Sequence, residues 1–457
     1  MTLKVNLLSG KVNKIFFLLF ISAVGSTIIQ TIYSAVDMIC VGHYAGADGS
    51  SAIACINPMW SIMFAPGVLC GVGGSVMAAN RKGAGNEHSA NQYFTVATVA
   101  SIIFSVLIML TFLIFPRQLL VFFGADDPTV LELAVSYMRS VAFISPTFTI
   151  CANLATFMRN DGEAFIPTIA TVIGGVTNMI LDVLLVFDFG AGLGVAGAGI
   201  ATSIGQTVAF LIILTYFFTK KCSLRFVRPS RIPTRLFRIF SLGISAFAIE
   251  VAFGVTTTVF NNKIISELTT DHLAVYGTAA TVTIMFYCLL NATGTAMQPI
   301  ASQNFGAKNL TRVRASLKIA LISATALGTF CFLLLQLFPE TVLRIYMDVN
   351  DNIVAVGPRI IRIYSLALPL VGVTLASSFF FQSILKQWMS FTVAILRGLA
   401  LPISLAIVLP ALFGIDAIWW CMPISELLSF VISVVFLAIS NRGLKKAAFD
   451  LMHEVNV

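Results

Sequence analysis

Residues 91–115, NQYFTVATVASIIFSVLIMLTFLIF, contain no charged side chain, and this stretch decides the class of fold. A hydrocarbon core of about 30 Å needs about 20 apolar residues in a helix, a length that the stretch reaches. Similar stretches recur along a chain of 457 residues that is 58% hydrophobic and only 11% charged. Soluble domains carry roughly 25% charged residues. The composition therefore predicts an integral membrane protein with the lipid bilayer as its main solvent.

Counting the apolar stretches gives the number of membrane crossings. Twelve are long enough to span a bilayer. They cover residues 15–44, 52–80, 91–115, 132–158, 165–187, 195–219, 239–265, 272–303, 315–338, 358–385, 390–412 and 417–440. We expect an all-α, polytopic membrane protein with 12 transmembrane helices in two pseudo-symmetric six-helix lobes.

The distribution of lysine and arginine predicts the orientation of these spans. With the N-terminus inside, six of the 28 basic residues fall on the outer side or at adjoining helix ends, and the rest, including Arg397, fall inside. The six are Arg117, Arg139, Lys263, Arg344, Arg359 and Arg362. This excess matches the positive-inside rule. It predicts a multi-pass protein of the cytoplasmic (inner) membrane with both termini in the cytoplasm.

The two halves of the chain share a plan. A shift of 223 residues superposes three features: Gly83-Ala84 on Gly306-Ala307, Phe115-Pro116 on Phe338-Pro339, and Pro146 on Pro369. Self-similarity at this period indicates a duplicated unit, and six helices per unit make the repeat parallel. We predict an N-terminal lobe at 1–219, a basic cytoplasmic linker at 220–238 and a C-terminal lobe at 239–457.

Several function classes are excluded by the same residues. The net charge of +8 lies in short clusters between apolar stretches, which argues against a nucleic-acid partner. The eight cysteines form no CxxC pair, the four histidines have no ligand spacing, and no P-loop or HExxH motif occurs. We expect no cofactor other than a coupling ion, no metal site beyond a monovalent cation, no obligate protein partner and no enzymatic activity.

Four acidic residues lie inside apolar stretches. A charge at mid-bilayer costs ~2.5–3.5 kcal/mol on insertion scales, and residues tolerated at that cost usually serve a polar cavity. Asp37 ends a helical stripe that includes Gln30 and Tyr33, and Asp182 follows Asn178 by one turn. We therefore predict that Asn178 and Asp182 hold a cation, which the sequence leaves open as Na⁺ or a proton, and that Asp37 lines a polar cavity.

The second half contributes Glu250 in the seventh span and Glu426 in the twelfth. Glu250 is expected to neutralise a cationic substrate, with Gln30, Tyr33, Met285 and Tyr287 as further substrate contacts. Glu426 leaves two interpretations open, a functional carboxylate or one that pairs with an amide and only stabilises packing.

Four motifs resemble the multidrug and toxic compound extrusion (MATE) family. They are residues 36–46 (VDMICVGHYAG), 81–86 (RKGAGN), 158–163 (MRNDGE) and the second-half copy at 303–309 (QNFGAKN). The resemblance implies a two-lobed antiporter that exports organic cations in exchange for sodium or protons. It also implies a first-lobe cation site at Asp37, Asn178, Asp182 and Thr202, with the carbonyl of Ala198 nearby. The chain departs from some members in having no acid between Asp351 and Asp416, which favours the first lobe as the ion site.

Alternating access between the lobes is the expected mechanism, with small organic cations and the bilayer as partners. One rival is a lipid-linked oligosaccharide flippase of the same superfamily, which would need a basic cavity for pyrophosphate. A membrane-embedded enzyme using Asp37 and Asp182 as an acid pair is the remote alternative. The acidic character of the deep charges favours cationic cargo over both.

Overall fold

The computed structural model describes residues 4–123, 125, 127–268, 270–346 and 351–454, which are helical apart from turns and loops. Eleven helices of the described residues are long and apolar enough to cross a membrane, and a bent pair counted as one span brings the number to twelve, in the predicted order. They are Val12–Gly46, Ser51–Gly83, Glu87–Ile114, Pro128–Ala142 with Ser145–Asn160, Phe165–Val186, Gly194–Phe218, Ile232–Ile264, Val275–Gly306, Leu310–Leu337, Val354–Ser383, Gln387–Phe413 and Ile415–Leu444. Below they are the first to twelfth spans, and they confirm the predicted fold class.

The fourth span breaks where a proline is placed deep within it. Its two helices meet at 56° immediately before Pro146. Proline lacks an N–H group and its ring clashes with the carbonyl four residues earlier, so the helix restarts there. At the same offset in the second half, helix Asp351–Ser365 ends and helix Leu368–Ser383 begins with Pro369 at its N-terminus.

The duplication predicted from the sequence extends to backbone geometry. Asn86 caps the third span by accepting the Ser89 N–H at 2.9 Å, and Asn309 caps the ninth by accepting the Arg312 N–H at 3.3 Å. The preceding residues, Gly85 and Lys308, both have positive φ, 77° and 58°. Lysine rarely adopts a positive φ. That Lys308 does so shows that the second half keeps the same turn as the first half, although the glycine is replaced.

Two short helices were not predicted. Pro116–Phe122 follows the third span, and helix Pro339–Tyr346 follows the ninth. Each begins at the proline of a Phe-Pro pair, where a missing N–H is harmless because the first helical N–H groups have no intrahelical partner. The pairs were identified from the sequence as repeat markers, but the helices they start are too short to stand out by hydropathy.

The chain packs as two compact units. The first comprises Met1–Leu7 with Ile21–Phe247, and the second comprises Leu8–Phe20 with Ala248–Val457. Each unit has an apolar core of its own, around Met59, Tyr137 and Phe148 in the first and around Phe260, Tyr364 and Leu368 in the second.

Within the first unit, the linker packs on the end of the third span. The Arg225 N–H bonds the side-chain oxygen of Asn91 at 3.0 Å, and the Val227 N–H bonds Thr95 Oγ1 at 3.1 Å. The seventh span then crosses the second, where an added Cβ on Gly73 would lie 1.9 Å from the Ile239 carbonyl oxygen. The backbones therefore touch, which is how small residues hold membrane helices together.

A buried carboxylate ties the loop ends of the first unit together. The side chain of Asp161 is 1% exposed and forms ion pairs with Lys4, at 2.7 Å, and with Lys82. It also accepts hydrogen bonds from Tyr216 and from the hydroxyl of Ser223. Burial raises the pKa of Asp161, but Lys82 and Lys4 outweigh burial and hold that pKa below its ordinary value.

Substituting Asp161→Asn should lower the thermal unfolding midpoint of the purified protein at pH 7, since breaking a buried ion pair costs about 3–5 kcal/mol. Because the pKa of Asp161 is lower in the folded than in the unfolded protein, its carboxylate stabilises the fold fully above the unfolded pKa of about 3.9. This stabilisation is lost as the pH falls through the folded pKa. The difference from wild type should therefore shrink below about pH 4. Glu132→Gln is the control, because the Glu132 and Arg117 side chains are 61% and 54% exposed and exposed pairs contribute little. An equal effect of both variants would contradict the role given to Asp161.

Candidate functional site

Two polar side chains of the fifth span point into the first unit. Asn178 and Asp182 are 3% and 0% exposed, whereas Ile180, Val183 and Leu184 on the same helix are exposed. The four-residue spacing puts the amide and the carboxylate on one face. The helix therefore presents apolar groups outward and its polar pair inward, as predicted.

Close packing brings the sixth span to this pair. An added Cβ on Gly205 would lie 2.6 Å from the Gly174 carbonyl oxygen and 2.9 Å from the Cβ of Asn178. At this crossing the Asn178 amide donates to Thr202 Oγ1 at 3.2 Å and lies 3.4 Å from Asp182 Oδ1. The Thr202 hydroxyl donates to the Ala198 carbonyl oxygen at 3.0 Å. The residues that the family resemblance implied thus lie together.

Asp37 joins the cluster through a residue that sequence reasoning missed. The hydroxyl of Tyr137, in the fourth span, donates to Asp37 Oδ2 at 3.0 Å and lies 3.4 Å from Thr202 Oγ1. Tyr137 is 0% exposed, and its ring packs edge-on against Trp60. The sequence carries no signal for this contact, because a tyrosine near a span end is equally typical of a membrane interface.

Three oxygen atoms of the cluster are buried and have no hydrogen-bond partner among the described residues. They are Asp37 Oδ1, Asn178 Oδ1 and Asp182 Oδ2. The ion pairs found in the described chain include neither Asp37 nor Asp182. Unpaired oxygens of carboxylates and amides are what a hard cation binds, and a carboxylate can equally be neutralised by a proton.

The rest of the polar stripe on the first span divides by position. Ser22 and Ser26 bond Thr168 of the fifth span, at 2.5 and 2.9 Å. Tyr33 packs on Gly175, where an added Cβ would lie 2.9 Å from its ring. Gln30, by contrast, is exposed. The stripe therefore serves helix packing at one end and leads to Asp37 at the other.

The predicted substrate residues of the second unit, Glu250, Met285 and Tyr287, differ in their exposure. Glu250 and Tyr287 are half-buried, and Met285 is 37% exposed. Glu250 takes part in no ion pair of the described chain. Tyr287 lies against Arg397, whose guanidinium carbon is 4.9 Å from the ring centroid.

One expectation and one open interpretation about charge need correction. Arg397 is not a residue of the inner surface, because its side chain is only 9% exposed and its Nε donates to Glu426 Oε1 at 2.7 Å. Of the two interpretations left open for Glu426, the pairing with an amide is not what the structure has, since the carboxylate pairs with this guanidinium. A buried arginine stays charged, so a carboxylate opposite it lowers the cost of burying both.

Known proteins resemble this chain over most of its length. A family model described as MatE matches residues 23–184 and 237–408, one stretch in each half. The chain is 25% identical to the multidrug export protein MepA of Staphylococcus haemolyticus, over 91% of each protein, and 24% identical to MepA of Staphylococcus saprophyticus, over 88% of each.

Solved structures share the fold. A MOP superfamily transporter from Pyrococcus furiosus superposes with a TM-score of 0.89 at 22% identity, over 97% of this chain and 99% of that one. An outward-facing multidrug resistance MATE family transporter gives a TM-score of 0.88 at 23% identity, over 98% and 99%.

The two matched stretches together cover more than half of the chain and fall in the two repeats, as a duplicated unit requires. The structural matches extend over nearly the whole length of both chains. The chain therefore belongs to the MatE family and is a multi-pass membrane transporter, not an enzyme.

Proposed function

We propose that this transporter exports small organic cations in exchange for Na⁺ or protons, by alternating access across the cytoplasmic membrane. The observation that carries the proposal is the set of unpaired oxygens on Asp37, Asn178 and Asp182. The multidrug export named for the MepA relatives supports the substrate class.

The coupling follows from the cost of buried charge. Two carboxylates in an apolar bundle, without a basic partner among the described residues, favour any state in which a cation or a proton reaches them. A ligand shifts a conformational equilibrium only through unequal affinity for its two states. The ion must therefore bind more tightly in one state of the transporter, and the substrate more tightly in the other.

The charge of the second unit supports cationic cargo. Glu250 makes no ion pair among the described residues, and Arg397 is neutralised by Glu426. A lipid-linked pyrophosphate would need free basic groups inside the bundle. The basic residues of the first unit support the proposed orientation. Lys4, Lys82 and the backbone of Lys221 meet at one end of the unit. We assign this end to the cytoplasm, following the positive-inside rule.

Substituting Asp182→Asn should reduce ion-driven efflux at least tenfold, because an amide keeps the shape but loses the charge that attracts the cation. The measurement is dye efflux from proteoliposomes under imposed sodium and proton gradients, with insertion and unfolding midpoint recorded for each variant. Asp188→Asn is the matched control, since Asp188 is exposed after the fifth span. Wild-type coupled efflux by Asp182→Asn would refute the assignment.

Substituting Tyr137→Phe should change the ion concentration for half-maximal efflux about tenfold while leaving the transporter folded. The reason is the lost hydroxyl donor to Asp37, since hydrogen bonds to charged groups contribute about 1.5–3 kcal/mol and 1.4 kcal/mol corresponds to a factor of ten. Efflux is titrated with Na⁺ and with pH, and the exposed Tyr44 provides a Tyr44→Phe control. Unchanged half-saturation for both ions would exclude Tyr137 from the site.

A further inference from the structure

The second unit contains a buried charge pair on the helices that repeat the fifth and sixth spans. By order in the duplication, these are the eleventh and twelfth spans, which carry Arg397 and Glu426. In the first unit the equivalent helices carry Asn178, Asp182 and Thr202. The same helix pair thus bears a cation-binding set in one half and a complete ion pair in the other.

Local backbone structure places Arg397 inside. Leu396–Ala400 form a π-helical turn in the middle of the eleventh span, and Pro402 follows it. Proline cannot supply the hydrogen bond of a regular helix, so the turn before it widens. Ser390, Val393 and Ala394 precede Arg397 by seven, four and three residues, so they share its helix face, and all three are buried. Arg397 is therefore directed into the unit rather than towards the end of the span.

The surroundings of the pair complete its neutralisation. The second carboxylate oxygen of Glu426 accepts from the Thr374 hydroxyl of the tenth span at 3.3 Å. The guanidinium lies over the ring of Tyr287 of the eighth span, with its carbon 4.9 Å from the ring centroid. The side chains of Arg397 and Glu426 are 9% and 2% exposed. Arg397 is the charged group that faces Glu426 among the described residues.

We propose that Arg397 is a tethered counter-ion that takes, in the second half, the place that the coupling cation takes in the first. The guanidinium of Arg397 is covalently attached to the chain and stays paired with the Glu426 carboxylate, so Glu426 offers no exchangeable cation site. Cation coupling is thereby confined to Asp37 and Asp182, while Glu250, which has no ion pair among the described residues, is available to the substrate. This inference rests on the proposed function, because it presupposes that the first-half carboxylates bind the ion.

Removing the tethered charge should create a second cation site. In Arg397→Met, the uncompensated Glu426 must take up a proton or a Na⁺ ion, so the sum of Na⁺ bound and carboxyls protonated at pH 7 should rise by one per chain. Radioactive ²²Na⁺ binding to purified, reconstituted protein measures the first quantity, and the infrared band of protonated carboxyl groups measures the second. The double variant Arg397→Met with Glu426→Gln should return the sum to the wild-type value.

Arg359→Met is the matched control, because Arg359 is exposed on the tenth span. A sum that stays unchanged in Arg397→Met, or a gain that persists in the double variant, would overturn the proposal. A separate arm uses Asp182→Asn with wild-type Arg397, so it does not depend on how well Arg397→Met folds. Residual cation binding there that Glu426→Gln abolishes would also overturn it. Cation binding that is unaltered in Asp182→Asn and also in its combination with Glu426→Gln would instead contradict the proposed first-half site. The Arg397→Met comparison would still test the tethered counter-ion in that case.

Discussion

Every buried charge in this bundle must be neutralised, and that constraint organises the chemistry of the whole chain. A carboxylate removed from water needs a partner or a proton, because neither lipid nor apolar side chains solvate it. Asp161 is satisfied by Lys4 and Lys82 near the ends of the spans. Glu426 is satisfied by Arg397 within them. Among the described residues, Asp37 and Asp182 form no ion pair and Asp37 accepts a hydrogen bond from a neutral hydroxyl, and the proposed ion site rests on this difference.

Close helix packing creates the sites in which that constraint acts. Gly174 and Gly205 bring the fifth and sixth spans to backbone contact, so that Asn178 and Thr202 are within hydrogen-bonding distance. Larger residues there would separate the helices and admit lipid or water between the polar groups. Since hydrophobic segregation does not drive association within lipid, such contacts and the interhelical hydrogen bonds carry much of the specificity. The site therefore depends on glycines that themselves bind nothing.

The sequence predicted the spans and the repeat well because both rest on signals repeated over many residues. It also predicted that Asn178 and Asp182 share one face of the fifth span, since one helical turn separates them. It missed Tyr137, which reaches Asp37 from a span 100 positions away in the chain, and periodicity within one helix carries no information about such contacts. Thr202 and Ala198 were reached through family resemblance alone. Arg397 was misplaced because a basic residue in a span was expected to extend to the inner surface, and its buried partner 29 positions later cannot be read from charge counts.

The comparison of the two halves shows how one architecture supports different chemistry. The turns before the third and ninth spans agree even in the positive φ of Gly85 and Lys308. The buried charges of the two halves, by contrast, do not lie at equivalent positions. Backbone geometry is held by caps and prolines that every copy needs to fold. Interior charge can change whenever a compensating charge arises beside it, as Glu426 and Arg397 illustrate. A carboxylate with a fixed partner holds two helices in one arrangement, whereas a carboxylate that waits for a mobile ion lets its surroundings differ between the bound and free states. On the proposed coupling, one half of the duplicated transporter therefore stays electrostatically constant while the other half responds to the ion.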